Sequence, residues 1–197
     1  LHAGVLKKFG LYGLIRVAMP MLPDGMNAPL ASAATFESLP LSLCPYLFQE
    51  ILMGMGWLDL MAFLCLGNIF YCGLVAMQQK DLNLLIGNSS VAHMGFVFLG
   101  IASLSLIGVT GAVLVMIAHG LLAALSFGLS GYIYQQTGTL EIQRLGGLLR
   151  QMPFIGASLV MAMLAGCGLP GFANFAGEVM VFFGAWEEST LRFVVVA

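Results

Sequence analysis

Four ionisable side chains stand where the sequence offers little else that is polar. Lys8 lies in Gly4-Val5-Leu6-Lys7-Lys8-Phe9-Gly10, and His93 in Asn88-Ser89-Ser90-Val91-Ala92-His93-Met94. His119 lies in Met116-Ile117-Ala118-His119-Gly120, and Glu178 closes Pro170-Gly171-Phe172-Ala173-Asn174-Phe175-Ala176-Gly177-Glu178. Lysine, histidine and a carboxylate are the side chains that can take up and release protons. At the centre of a bilayer a charge costs roughly 2.5–3.5 kcal/mol on insertion scales, so such residues face a partner or a water-filled path.

Each has a functional and a structural reading. Lys7 and Lys8 point about 100° apart on a helix and cannot do the same job. Lys8 either snorkels to the membrane edge or, withdrawn from water, carries a proton. His93 shares a helical face with Ser89 and Ser90. It either glues helices together or relays protons, since histidine titrates near neutral pH. His119 is followed on the same face by Ser126 and Ser130, with Ala123 between them. That narrow polar stripe has room for water and suits a proton path; the alternative is a single hydrogen bond to a neighbour. Glu178 follows the break Gly166-Cys167-Gly168-Leu169-Pro170-Gly171 by about two turns. A broken helix exposes backbone groups, tolerated only inside protein or against water. The half-helix after it offers a positive end to an anion. Glu178 is therefore a functional site or the static partner of a lysine on another helix.

The elements that must position these residues are membrane spans. Of 197 residues, 60% are hydrophobic and 8% charged, against about 25% charged in a soluble domain. So few charges cannot wet a globular surface or keep a chain disordered. The net charge of −2 offers no basic footprint for nucleic acid. The composition predicts an all-α integral membrane protein of about five to six transmembrane helices. The spans run over 3–22, 56–78, 84–104, 108–134 and 152–186, the last broken near Gly166–Gly171, with a further span starting at 191–197. Together they form a single transmembrane domain over 1–197. The chain begins at Leu1 and stops at Ala197 in an apolar run, and reads as a fragment of a longer protein or one piece of a split one.

Alternate connections face opposite sides. Loops 79–83 and 135–151 carry the basic residues Lys80, Arg144 and Arg150; segments 23–55 and 187–192 carry one basic residue, Arg192. The positive-inside rule places 79–83 and 135–151 on the cytoplasmic side, the matrix side in a mitochondrion. Cys44, Cys65, Cys72 and Cys167 have no metal-type spacing and read as small buried residues. No metal site, Walker loop or dinucleotide fingerprint is visible. Haem ligation by His93 and His119 is the weaker alternative for the two histidines. The chain is expected to carry no cofactor and no redox centre of its own.

Asp81-Leu82, Leu85-Ile86 and Ser89-Ser90-Val91-Ala92-His93-Met94-Gly95-Phe96 resemble a strongly patterned helix of the antiporter-like subunits of respiratory complex I, NADH:quinone oxidoreductase. Ala3-Gly4-Val5-Leu6-Lys7-Lys8-Phe9-Gly10-Leu11-Tyr12-Gly13-Leu14-Ile15-Arg16 resembles another of that family's helices. So do Gly111-Ala112 with Met116-Ile117-Ala118-His119-Gly120-Leu121, and Gly168-Leu169-Pro170-Gly171 with Asn174-Phe175 and Gly177-Glu178. Order and spacing match across the chain except at 20–55. The pattern is most similar to the M-type, or chain 4, branch of the family, from its eighth helix to the start of its thirteenth.

The resemblance implies a larger antiporter-like bundle in a bacterial or mitochondrial inner membrane, packed among other membrane subunits and lipid. It assigns a proton relay to Lys8, His93, His119 and Glu178, driven by quinone reduction in partner subunits that hold the flavin and iron–sulfur clusters. Lys80, Ser126 and Ser130 are expected to support that relay. The rival readings are a subunit of a multi-subunit sodium/proton antiporter or membrane-bound hydrogenase-type complex, and a non-pumping membrane scaffold. Relatives often carry Asp-Leu-Lys-Arg and then an Ala-Tyr pair where this chain has Asp81-Leu82-Asn83-Leu84 and then Gly87-Asn88. Lys80, three residues before Asn83, is expected to swing its ammonium into the vacated space, or else to serve only as a positive-inside anchor.

Overall fold

The computed structural model describes residues 7–18 and 57–187. The connection 19–56 and the stretch 188–197 lie outside the described residues, and with them the apolar start at 191–197. Seven α-helices make up the described fold: α1 Lys7–Gly13, α2 Trp57–Met77, α3 Leu82–Ala102, α4 Leu106–Thr137, α5 Leu148–Gln151, α6 Pro153–Gly166 and α7 Ala173–Glu187. A π-helical turn, Leu14–Ala18, continues α1, and a 3-10 turn, Ile142–Arg144, precedes α5. The protein is all-α and membrane-embedded: Leu58–Met77, Leu82–Ala102 and Leu106–Thr137 are each long and apolar enough to cross a bilayer. Phe63, Tyr71, Leu121, Phe154 and Phe183 are among the large apolar side chains left on the outside, as a lipid-facing surface requires.

Helix ends follow local chemistry. Asp81 accepts hydrogen bonds from Asn83 N at 2.8 Å and Leu84 N at 3.3 Å, which starts α3 at Leu82 rather than at 84. Ser105 accepts from Gly108 N at 2.9 Å and opens α4. Gly138, at φ 70, closes it. With 32 residues, α4 is about 48 Å long and outruns the hydrocarbon layer. By contrast α6 and α7, with 14 and 15 residues, are each about 21–23 Å long. Neither is long enough to cross a bilayer alone.

Small residues bring the helices close. A Cβ on Gly177 would stand 2.6 Å from Val115 Cγ2, and one on Gly111 2.7 Å from Met180 Cβ. The α4–α7 seam therefore depends on residues without side chains, the packing mode that works where lipid offers no hydrophobic drive. Leu11 of α1 packs in one core with Met94, Val97 and Ile101 of α3 and Ala112 and Val115 of α4. A second core, built on Leu82, Ile86 and Ile133, sits beneath the loops at one end. There Leu82 N donates to Leu140 O at 3.0 Å and Ile142 N to Lys80 O at 2.9 Å. The connections 79–83 and 135–151 thus lie together.

Candidate functional site

Pro170 explains the first contact. In an unbroken helix the N–H of residue 170 would bond the carbonyl of Gly166, but proline has no N–H. The Gly166 carbonyl instead accepts from His93 Nε2 at 3.1 Å. The other ring nitrogen, Nδ1, donates to the Ser89 carbonyl at 2.7 Å, one turn back on α3. Carbonyls only accept, so a ring with a single N–H donates to one of the two at a time. Glu178 Oε1 is 3.5 Å from His93 Nε2. His93 is 7% exposed.

His119, 3% exposed, comes from the middle of α4. Its Nε2 shares a hydrogen bond with Ser90 Oγ at 2.8 Å. Adjacent residues of α3 therefore hold both rings, Ser89 through its carbonyl and Ser90 through its hydroxyl. The two imidazoles stack with centroids 4.7 Å apart and planes inclined by 23°.

Glu178 reaches His93 over a backbone made for it. Gly168 has φ +66, and a Cβ there would lie 2.8 Å from Glu178 Oε2. Only glycine gives both the left-handed turn and the space. The break thus does two things: it frees a carbonyl for the histidine and leaves room for the carboxylate.

The serine stripe runs away from this cluster towards the loops. Ser126 donates to Leu122 O at 2.8 Å within its own helix, whereas Ser130 donates to Asn83 Oδ1 at 2.6 Å. A cavity of about 210 Å³ lies between α2, α3, α4 and α6; Met77, Leu85, Ser89, His119, Ser126 and Gly166 are among its walls. It is large enough for several waters. Lys80 is exposed at the loop end, and it is Asn83 that touches the stripe. Lys8 is 8% exposed, one turn before Leu11 and its core with α3 and α4. Of the residues singled out in the sequence, the structure joins His93, His119 and Glu178 directly. Ser126 and Ser130 flank them along α4, and Lys8 is buried on α1.

Other participants carried weaker signals. Ser90 stood out only as a face-mate of His93, yet it binds His119. Asn68 donates to the Val91 carbonyl at 3.0 Å and accepts from Cys72 Sγ at 3.2 Å, tying α2 to α3. Asn174 is 3% exposed, and neither polar atom of its amide has a hydrogen-bond partner among the described residues. A group orphaned in this way costs roughly 1–3 kcal/mol. Among the described residues no group of three His, Cys, Asp or Glu could hold a metal ion.

Known proteins are similar to this chain. The model of the family described as NADH:quinone oxidoreductase/Mrp antiporter, TM, matches residues 21–197. NADH-quinone oxidoreductase subunit M of Pseudomonas aeruginosa is 37% identical over 193 residues, 98% of this chain and 32% of the relative. The subunit M of Rickettsia conorii is 34% identical over 195 residues, 99% of this chain and 34% of the relative. NAD(P)H-quinone oxidoreductase chain 4, chloroplastic, of Chlorokybus atmophyticus is 40% identical over 193 residues, 98% of this chain and 32% of the relative. The chain thus spans about a third of the length of these curated relatives. A chain in the structure of respiratory complex I from Thermus thermophilus with bound NADH superposes with a TM-score of 0.74 at 28% identity, covering 97% of this chain and 36% of that one.

Proposed function

The chain belongs to the NADH:quinone oxidoreductase/Mrp antiporter transmembrane family, and from that membership we propose that it works as part of an M-type, proton-translocating membrane subunit of NADH:quinone oxidoreductase. The observation that carries the reading is the buried contact of His93 with Glu178 at 3.5 Å, beside the stacked His119. Two stacked imidazoles and a carboxylate, set against a helix break and a cavity, form a device for passing protons rather than for redox chemistry. Electrons then belong to partner subunits holding flavin, iron–sulfur clusters and quinone. The other membrane subunits and the lipid bilayer are its neighbours.

In this reading protons enter from the side of loops 79–83 and 135–151, the cytoplasmic or matrix side by their Lys80, Arg144 and Arg150. They pass Asn83, Ser130 and Ser126 into the cavity and reach His119, then His93, then Glu178. Lys8, buried on α1, is the fourth member of the relay. Moving one charge against the membrane potential costs about 2.3 kcal/mol per 100 mV, which quinone reduction elsewhere in the complex must supply.

The test is Glu178→Gln in the full-length protein within its assembled complex. The swap keeps size and hydrogen bonding but removes titration. Proton translocation should fall roughly 100-fold, the scale of one positioned proton-transfer group, while assembly is retained. Glu178→Asp should keep much of the activity. Translocation at the original rate in Glu178→Gln overturns the relay. Sodium-driven proton exchange uncoupled from quinone reduction would select the antiporter branch of the family instead.

A further inference from the structure

Asn174 is the second residue of α7. It continues the buried face formed by Gly177, Val181 and Gly184. That face lies on α4 in antiparallel register, with Gly184 against Gly108 and Gly177 against Val115. One turn further on each helix brings Asn174 level with Ala118 and His119. Asn174 is also four residues before Glu178, on the same side of α7. The amide therefore stands level with His119 on α4 and one turn before Glu178 on its own helix.

Its chemistry defines the ligand. Both the amide nitrogen and the amide oxygen are buried without a hydrogen-bond partner among the described residues. The nitrogen needs an acceptor and the oxygen needs a donor. A cation would ligate the oxygen and leave the nitrogen unpaired. Water accepts and donates, and so satisfies both ends, as buried waters do for otherwise unpaired polar groups. We infer that Asn174 binds buried water at the level of His119, one turn from Glu178. Through that water it acts as a positioning residue for the two. The positioning role rests on the relay reading; the water site does not.

The experiment is a structure of the full-length protein in its native membrane assembly, at a resolution that shows waters, with Asn174→Leu and Asn174→Ser beside it. Expected is ordered density within hydrogen-bond distance of both amide atoms, absent in Asn174→Leu and retained in Asn174→Ser, whose hydroxyl also donates and accepts. Proton translocation should fall about tenfold in Asn174→Leu, the effect of one lost hydrogen bond, with assembly unchanged, and recover in Asn174→Ser. A dry amide, or one paired directly with protein at both ends, overturns the water site. Density that disappears in Asn174→Leu with no change in rate overturns the positioning role. If Glu178→Gln translocates normally, the relay reading fails while the density still decides the site.

Discussion

His93 and His119 lie face to face, their ring centroids 4.7 Å apart and their planes 23° from parallel. Two positive rings at that separation repel by about 3.5 kcal/mol at an effective dielectric of about 20. His93 is also held by the Ser89 and Gly166 carbonyls and by Glu178. In the proposed relay a proton passes from His119 to His93 and then to Glu178. Rings in contact on one relay should not contribute independently. Replacing His93 by Ala and His119 by Ala should together slow translocation little more than the worse single change, a non-additivity typical of residues in contact. Rates measured in the assembled complex check this, and losses that simply multiply would place the two histidines on separate paths.

Gly168→Ala tests how the break serves the carboxylate. The new methyl would stand 2.8 Å from Glu178 Oε2, at a φ of +66. The backbone alone should cost about 1–2 kcal/mol. The larger effect should be on rate, since displacing a reacting group by 1 Å can cost about 100-fold. Adding Glu178→Asp, one methylene shorter, should relieve the collision and recover part of the rate while the backbone cost stays. A double variant as slow as Gly168→Ala would show that the glycine matters only for the turn.

What could be read beforehand followed from chemistry local to the chain. The apolar runs gave α2, α3 and α4. Gly166 to Gly171 marked the interruption because Pro170 and two left-handed glycines, Gly168 and Gly171, cannot continue a helix. His93, His119 and Glu178 stood out because titratable groups are costly in lipid. Which helix packs on which face was not legible. Spacing on α3 pairs Ser90 with His93, yet its hydroxyl is used by His119 on α4, a partner fixed only by tertiary register. The Gly166 carbonyl has no side-chain signature at all. Asn83 read as an absence, a position where relatives carry a charge, and in the fold it binds Ser130.

That contact separates two routes into the serine stripe. Ser130 donates to Asn83 Oδ1 at 2.6 Å, while the Lys80 side chain is exposed. If entry runs along the stripe, Ser130→Ala should slow translocation and lower stability by about 1 kcal/mol, the worth of one hydrogen bond. Lys80→Ala should then leave the rate per assembled complex unchanged and affect insertion only. The opposite result, a slow Lys80→Ala variant restored by Asn83→Lys, would give the entry role to the lysine.

The last prediction concerns the end of the molecule where the loops meet. Asp81 and Glu141 form an isolated antiparallel bridge. It is flanked by Leu82 N to Leu140 O at 3.0 Å and Ile142 N to Lys80 O at 2.9 Å. In such a pair the two residues exchange no hydrogen bond of their own, and their Cα atoms are about 4.5 Å apart. That lies within the range of roughly 4.4–6.8 Å that a disulfide accepts. Asp81→Cys with Glu141→Cys, in a full-length background lacking other cysteines, should therefore cross-link under mild oxidation and shift mobility on a non-reducing gel. Loss of the Asp81 cap should cost about 1 kcal/mol, which the cross-link can offset. Membrane-impermeant thiol reagents applied to the reduced protein should reach both cysteines from the cytoplasmic or matrix face only. Failure to cross-link would mean that the loops do not meet in the membrane, and labelling from the opposite face would invert the proposed direction of proton entry.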